Sequence, residues 1–211
     1  MKDILMERRR SWVTSPLVAI VMAGWVIAGG GRIAAAQGLT TGGACAAPDP
    51  LVACGTTAVR IPKRRTQTLA PGIYGAVRVQ DAATLVLEGG DYTFCSLRVS
   101  RRAKLMVRDV AAVNVIGSAT FSISSRTGPE SGSPTAACDL GLFVGGREIV
   151  IQRRAKVSAS VCAPAAKLIA SRAATMVGDF VVNRVQEGSR VSVLPCPTTT
   201  TTTPGTTTTT L

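Results

Sequence analysis

The sequence predicts an all-β fold, a single-stranded right-handed parallel β-helix (β-solenoid) of about six to seven coils. Residues 77–79 (Val-Arg-Val) recur as residues 97–99 (Leu-Arg-Val), and residues 85–87 recur as residues 105–107, both at an offset of twenty residues. Apolar and polar residues alternate in these segments, as in a strand with one buried face. Strand repeats of about twenty residues are typical of solenoids, whose coils bury their apolar faces on one another.

The first 36 residues have the order of features found in secretory signal peptides. Three arginines at 8–10 precede an apolar run at 16–29 and a small-residue cleavage site at 34–36. The alternative is a retained membrane anchor, but the apolar run is shorter than the roughly 20 residues that a span needs. We therefore predict an exported protein, secreted or held at the cell surface or in the periplasm, with no stable membrane span after cleavage.

The remaining chain divides by composition into three parts. Residues 37–68 are rich in Gly, Ala, Thr and Pro and predict a cap or linker over the first coil, while residues 69–194 predict the β-helix domain. Within that domain, residues 124–137 contain few apolar side chains and predict a protruding loop. Residues 195–211 are mostly threonine and predict a disordered tail, because they offer little apolar surface to bury.

The six cysteines predict disulfides, since an even number behind an export signal favours them. Zinc is the alternative, but the chain has no Cys-x-x-Cys pair and no histidine. No metal and no cofactor is therefore predicted. Six cysteines allow fifteen pairings, and the best single guess is Cys45–Cys54. The predicted disulfide cysteines are Cys45, Cys54, Cys95, Cys138, Cys162 and Cys196.

A repeated basic tetrapeptide, Arg-Arg-Ala-Lys, is the most distinctive chemical feature. It occurs at 101–104 and 153–156, and a period of eighteen residues in the second half aligns Ala155 with Ala173, which follows Arg172. Equivalent positions of a solenoid stack at about 4.8 Å per coil, so these side chains would form a strip suited to a linear polyanion. The alternative is that arginine only keeps exposed corners soluble. The predicted polyanion-binding residues are Arg101, Arg102, Lys104, Arg153, Arg154, Lys156, Arg172 and Arg190.

Two other classes of function find less support in the residues. Single-strand nucleic-acid binders use aromatic platforms, whereas the aromatic residues of the coils fall mostly in the phase of the core, so no specific nucleic acid is expected. Polysaccharide cleavage needs convergent carboxylates, whereas the acidic residues are scattered along the chain. We therefore predict no catalytic residue and a protein that is not an enzyme. The aromatic residues concerned are Tyr74, Tyr92, Phe94, Phe121, Phe143 and Phe180.

Several short motifs resemble a family of bacterial secreted β-helix domains. They are Leu-Ala-Pro-Gly-Ile-Tyr at 69–74, Tyr-Thr-Phe-Cys-Ser-Leu at 92–97 and Ala-Pro-Ala-Ala-Lys-Leu at 163–168. The resemblance covers residues 68–193 and implies a surface or pilus-associated β-helix protein, in a family whose function is largely uncharacterised. Residues 137–145 are also similar to part of the ice-binding-like adhesion domains, and the coil pattern is similar to that of bactofilins.

Together these features predict an exported structural or adhesive surface protein that binds acidic polysaccharide or another extracellular polyanion through the basic strip. The full chain carries 24 basic and 12 acidic residues, a formal net charge of +12, which fits such a partner. The alternative is a lyase or hydrolase of acidic polysaccharide. A second alternative is an accessory protein of pilus or envelope assembly.

Overall fold

The computed structural model describes residues 39–41, 45, 53–131 and 138–196. Every regular element within these ranges is a β-strand, and none of the described residues belongs to a helix that could cross a membrane. The predicted signal peptide (1–36) and residues 197–211 of the predicted tail lie outside the described residues.

Seventeen strands follow one another along the described chain. The strands are β1 (Leu39–Thr41), β2 (Val59–Ile61), β3 (Thr66–Leu69), β4 (Gly72–Val79), β5 (Thr84–Leu87), β6 (Gly90–Val99), β7 (Lys104–Val107), β8 (Ala111–Val115), β9 (Ala119–Phe121), β10 (Arg126–Pro129), β11 (Leu140–Val144), β12 (Glu148–Ile151), β13 (Lys156–Ser158), β14 (Ser160–Ala170), β15 (Thr175–Val177), β16 (Phe180–Glu187) and β17 (Ser192–Leu194).

All strand pairs are parallel, and nearly all of them join equivalent strands of successive coils. One sheet stacks seven strands in the order β3-β5-β7-β10-β13-β15-β17. The predicted β-solenoid is thereby confirmed, with about six turns. We number the coils from the incomplete coil 1 (β2, β3) to the six complete coils that follow it: coil 2 (β4, β5), coil 3 (β6, β7), coil 4 (β8 to β10), coil 5 (β11 to β13), coil 6 (β14, β15) and coil 7 (β16, β17).

Each complete coil presents three faces. The long strand β6 shows this directly, because residues 90–94 pair with β8 and residues 97–99 pair with β9. The strands aligned with β8 form the first face, and those aligned with β9 form the second face. The seven-stranded sheet forms the third face. Because side chains alternate along a strand, every face has inward columns that fill the core and outward columns that meet solvent.

Inward side chains of successive coils stack on one another along the solenoid. One column of the third face contains Leu85, Leu105, Thr127, Val157 and Met176, each at most 4% exposed.

Burial also raises the pKa of Tyr92 above its ordinary value of 10.0. The Tyr92 hydroxyl therefore stays protonated at neutral pH and donates a 2.8 Å hydrogen bond to the carbonyl of Leu69, which ties coil 3 to coil 1.

The corner between the second and third faces is the same two-residue turn in every coil. Its second residue lies in the left-handed region although it is never glycine, and a fully buried alanine or serine follows it in coils 2 to 6. The turns stack through backbone bonds such as Ala82 N–H to Arg101 O (3.0 Å) and Arg102 N–H to Ile123 O (3.1 Å). The left-handed residues, with φ between 57° and 60°, are Arg64, Ala82, Arg102, Ser124, Arg154, Ala173 and Arg190.

The segment predicted to cap the first coil differs from that expectation. Its described strand β1 pairs with β16 of coil 7, at the opposite end of the solenoid. The regular coils also begin at Val59, earlier than the predicted Leu69, because β2 pairs with β4 and β3 pairs with β5. The alternation at residues 59–61 is a single buried-exposed-buried triplet, too short to stand out from the surrounding sequence.

The prediction of a loop at residues 124–137 is wrong for the first part of that segment. Residues 126–129 form β10, which pairs with β7 on one side and β13 on the other. The error has a physical cause, because Ser125 and Thr127 occupy inward positions where the other coils place alanine or a larger apolar residue. The strand period is therefore hidden by polar side chains. Residues 132–137 lie outside the described part of the chain.

Replacing Thr127 with valine is expected to stabilise the protein. The hydroxyls of Ser125 and Thr127 are buried, and neither has a hydrogen-bond partner among the described residues. Valine has nearly the same shape and removes the desolvated hydroxyl, so we expect Thr127→Val to raise the free energy of unfolding by about 1 kcal/mol. Denaturant titration measures this, with Thr84→Val on the outward side of β5 as the control, expected within about 0.5 kcal/mol of wild type. An unchanged or lower stability of Thr127→Val contradicts the prediction.

Candidate polyanion-binding site

The stacking of the corner turns in successive coils determines which of the predicted basic residues lie next to one another. Successive first positions of the turn are occupied by Arg153 in coil 5 and Arg172 in coil 6, and successive second positions by Arg154 and Ala173. The predicted alignment of Ala155 with Ala173 is therefore wrong, since β13 and β15 pair Lys156 with Thr175, an offset of nineteen. The eighteen-residue offset fails physically because it would superimpose buried Ile149 on exposed Lys167.

Four of the predicted arginines gather at the corners of coils 5 to 7. Arg153, Arg154, Arg172 and Arg190 line a groove of about 320 Å³, together with Ala173. All four arginines are exposed, and none has a carboxylate within 4.0 Å among the described residues. We call these four residues the corner arginine cluster.

The other predicted corner arginines stay apart from this cluster. Arg101 and Arg102 belong to coil 3, and the corner of coil 4 carries Ile123 and Ser124 instead of basic residues. Arg101 also faces Asp81 of coil 2, with 3.8 Å between the guanidinium and the carboxylate. The predicted strip is thus interrupted at the corners by one uncharged coil.

A continuous basic column runs beside that interruption on the third face. Lys104, Arg126 and Lys156 are register partners in three successive coils, and all three are exposed. Sequence reasoning identified both lysines but missed Arg126, because its strand was predicted as a loop. The spacing of the Arg-Arg-Ala-Lys tetrapeptide could have predicted Arg126 as a member of this column. Arg126 follows its corner residue Ser124 by two positions, as Lys104 follows Arg102.

A second basic column, absent from the predicted site, lies on the second face. Arg60, Arg78 and Arg98 are register partners in β2, β4 and β6. They border a groove of about 430 Å³ whose other lining residues include Ala76 and Ser96. We call these three residues the arginine ladder. The triplets Val-Arg-Ile, Val-Arg-Val and Leu-Arg-Val that contain these arginines predict the ladder, because an arginine between two inward residues of a strand points outward.

The described residues show little other recognisable chemistry. No group of three or more His, Cys, Asp or Glu side chains in this part of the chain is placed to hold a metal ion. One arginine outside the basic clusters forms an ion pair. Arg108 donates a 2.7 Å hydrogen bond to the carboxylate of Glu130, and this bond raises the pKa of the guanidinium. The cysteines pair as Cys45–Cys162, Cys54–Cys95 and Cys138–Cys196, so the guess Cys45–Cys54 is wrong.

The disulfide pairing follows from the position of β1. Because β1 lies on the last coil, Cys45 comes close to Cys162 of β14, with 6.0 Å between their Cα atoms. Cys54 is left beside β6 and pairs with Cys95 across 5.2 Å. Three disulfides with no free cysteine indicate that the protein matures in an oxidising environment.

Comparison of the chain with protein-family models, curated proteins and solved structures finds no match.

Proposed function

We propose that this is an exported structural or adhesive protein that binds an acidic polysaccharide at the corner arginine cluster. The observation that carries the proposal is the convergence of Arg153, Arg154, Arg172 and Arg190 on one groove without a carboxylate partner among the described residues. The disulfides support action outside the cytoplasm. The signal peptide at residues 1–36 belongs to the same proposal.

Electrostatics explains why such a cluster favours an anionic ligand. Arg153 and Arg172 occupy equivalent positions of adjacent coils, and two like charges at this coil spacing of about 4.8 Å repel each other by about 1 kcal/mol in water. A chain of carboxylates or sulfates relieves this repulsion and accepts bidentate hydrogen bonds from each arginine. The backbone of the corner turns already fixes the arginine positions, so that binding orders little besides the side chains.

The experiment reverses two charges of the cluster and compares two matched variants. We expect Arg153→Glu/Arg172→Glu to weaken retention on immobilised polygalacturonate by about tenfold or more at low salt, since two attractions become repulsions. Arg147→Glu/Arg184→Glu changes the net charge equally at exposed arginines outside the corner groove and is expected to keep most of the binding.

Three results bear on the proposal in different ways. Equal losses in the two variants would show that only net charge matters, which overturns a defined site at the corners. Wild-type binding by Arg153→Glu/Arg172→Glu would overturn it as well. Shortened polymer in the flow-through would replace adhesion by a lyase or hydrolase activity.

A further inference from the structure

The arginine ladder is separate from the corner arginine cluster in both face and coil. It occupies the second face in coils 1 to 3, whereas the cluster occupies the corners of coils 5 to 7. In coil 4 the same column carries Thr120 instead of arginine, and coil 5 carries Val150. The ladder therefore ends at coil 3 on this side and contains three guanidinium groups.

The strands hold these three arginines in a fixed outward row. Each arginine stands between two inward residues of its strand, and those flanking residues are at most 8% exposed. Val59, Val77 and Leu97 provide this anchoring on one side. The ladder residues are exposed, and none has a carboxylate within 4.0 Å in the described ranges.

The surroundings of the ladder form a surface that a sugar ring can approach. The neighbouring outward column contains Ala58, Ala76, Ser96 and Ser118, which leave room beside the arginines in the 430 Å³ groove. Its serine hydroxyls can donate and accept hydrogen bonds. None of the described aromatic residues lines the groove, so this part of the chain offers no stacking platform of the kind that single-stranded nucleic acids use.

We propose that the arginine ladder is a second binding site, which takes a run of three acidic sugars along the solenoid axis. One guanidinium per coil, about 4.8 Å apart, suits a linear oligosaccharide with one carboxylate or sulfate on each successive sugar. The choice of a carbohydrate as the ligand rests on the proposed function, whereas the assignment of an anion-binding site rests on the positions of the three ladder arginines. Two separate sites make the protein bivalent, so that a long polymer binds more tightly than a short oligomer.

Calorimetric titration of the disulfide-intact protein with trigalacturonate tests this inference. We expect two trimers to bind per chain at low salt. The variant Arg60→Gln/Arg78→Gln/Arg98→Gln is expected to weaken one of them by about tenfold or more, which corresponds to about 1.4 kcal/mol, and to leave the other unchanged. Arg153→Gln/Arg172→Gln/Arg190→Gln removes the same number of charges and is expected to affect only the other site.

The possible results separate the two sites. A single bound trimer that is lost only in the Arg60/Arg78/Arg98 variant supports the ladder and overturns binding at the corners. A single trimer lost only in the corner variant overturns the ladder. Binding by neither site overturns both proposals.

Two further probes test the ligand class. Equal binding of methyl-esterified trimer, which lacks the carboxylate charge, overturns the role of the arginines. Comparing a heparin-derived trisaccharide with trigalacturonate shows whether the ladder prefers sulfate or carboxylate. A preference for either anion supports the ladder as a site for acidic sugars. Tighter binding of a short oligothymidylate than of both sugars overturns the assignment of a carbohydrate ligand.

Discussion

Removing the Cys45–Cys162 disulfide should lower the free energy of unfolding by about 5 kcal/mol. The bond joins residues 117 positions apart, and the chain-entropy model assigns a stabilisation of this size to so long a loop. The appropriate variant is Cys45→Ser/Cys162→Ala, because Cys162 is only 7% exposed and a hydroxyl at that position would be desolvated. Urea denaturation under non-reducing conditions measures the loss.

The Cys54–Cys95 bond provides the matched comparison. Its sequence separation is 41 residues, so the same model predicts a loss smaller by about 1 kcal/mol for Cys54→Ser/Cys95→Ala. Both variants remove two cysteines and one crosslink, so that the difference between them reports on loop length and attachment. A larger loss in the Cys54–Cys95 variant would contradict the role given to the bond between Cys45 and the sixth coil.

Phe94→Ala should destabilise the protein by about 3–5 kcal/mol. Phe94 is fully buried on the first face, and its ring lies 6.1 Å from that of Tyr74 and 5.9 Å from that of Tyr92, between centroids. Truncation removes these contacts and leaves a cavity that the hydrogen-bonded coils above and below cannot close. Thermal and denaturant unfolding both measure the effect.

Phe143→Ala is the control for that substitution. Phe143 pairs with Asn114 of the preceding coil and points outward from the same face, where it is partly exposed. The same truncation therefore opens no internal cavity, and we expect a loss below about 1.5 kcal/mol. If both phenylalanines gave equal losses, the assignment of Phe94 to the packed interior would be wrong.

The sequence was sufficient for the architecture wherever inward positions are apolar. Leu85 and Leu105 repeat at an offset of twenty residues and are both buried, so their period predicted the stacked strands correctly. The prediction failed where an inward position carries Thr127, because a hydroxyl in the core has the same appearance in the sequence as a hydroxyl in a loop. In the fold, Thr127 is stacked between Leu105 and Val157 of the neighbouring coils.

The basic site was predictable in composition but less so in arrangement. Arg153 and Arg154 were recognised from their repeated tetrapeptide, whereas the coil offset of nineteen residues is fixed by burial of Leu168 rather than of Lys167. The ladder residue Arg78 was overlooked inside a repeat that was otherwise used to identify the fold. Disulfide pairing was beyond sequence reasoning, because it depends on β1 reaching the last coil.

The position of β1 also determines the order in which the fold can be completed. Most repeat proteins can add coils one after another, since each coil contacts only its neighbours. Here Leu39–Thr41 pairs with Phe180, Val181 and Val182, so the earliest described strand has no partner until nearly the whole domain has been synthesised. The coils between them can form first, but the final edge closes only when both ends of the domain are present. Folding of this protein is therefore expected to finish after synthesis of the domain rather than during it.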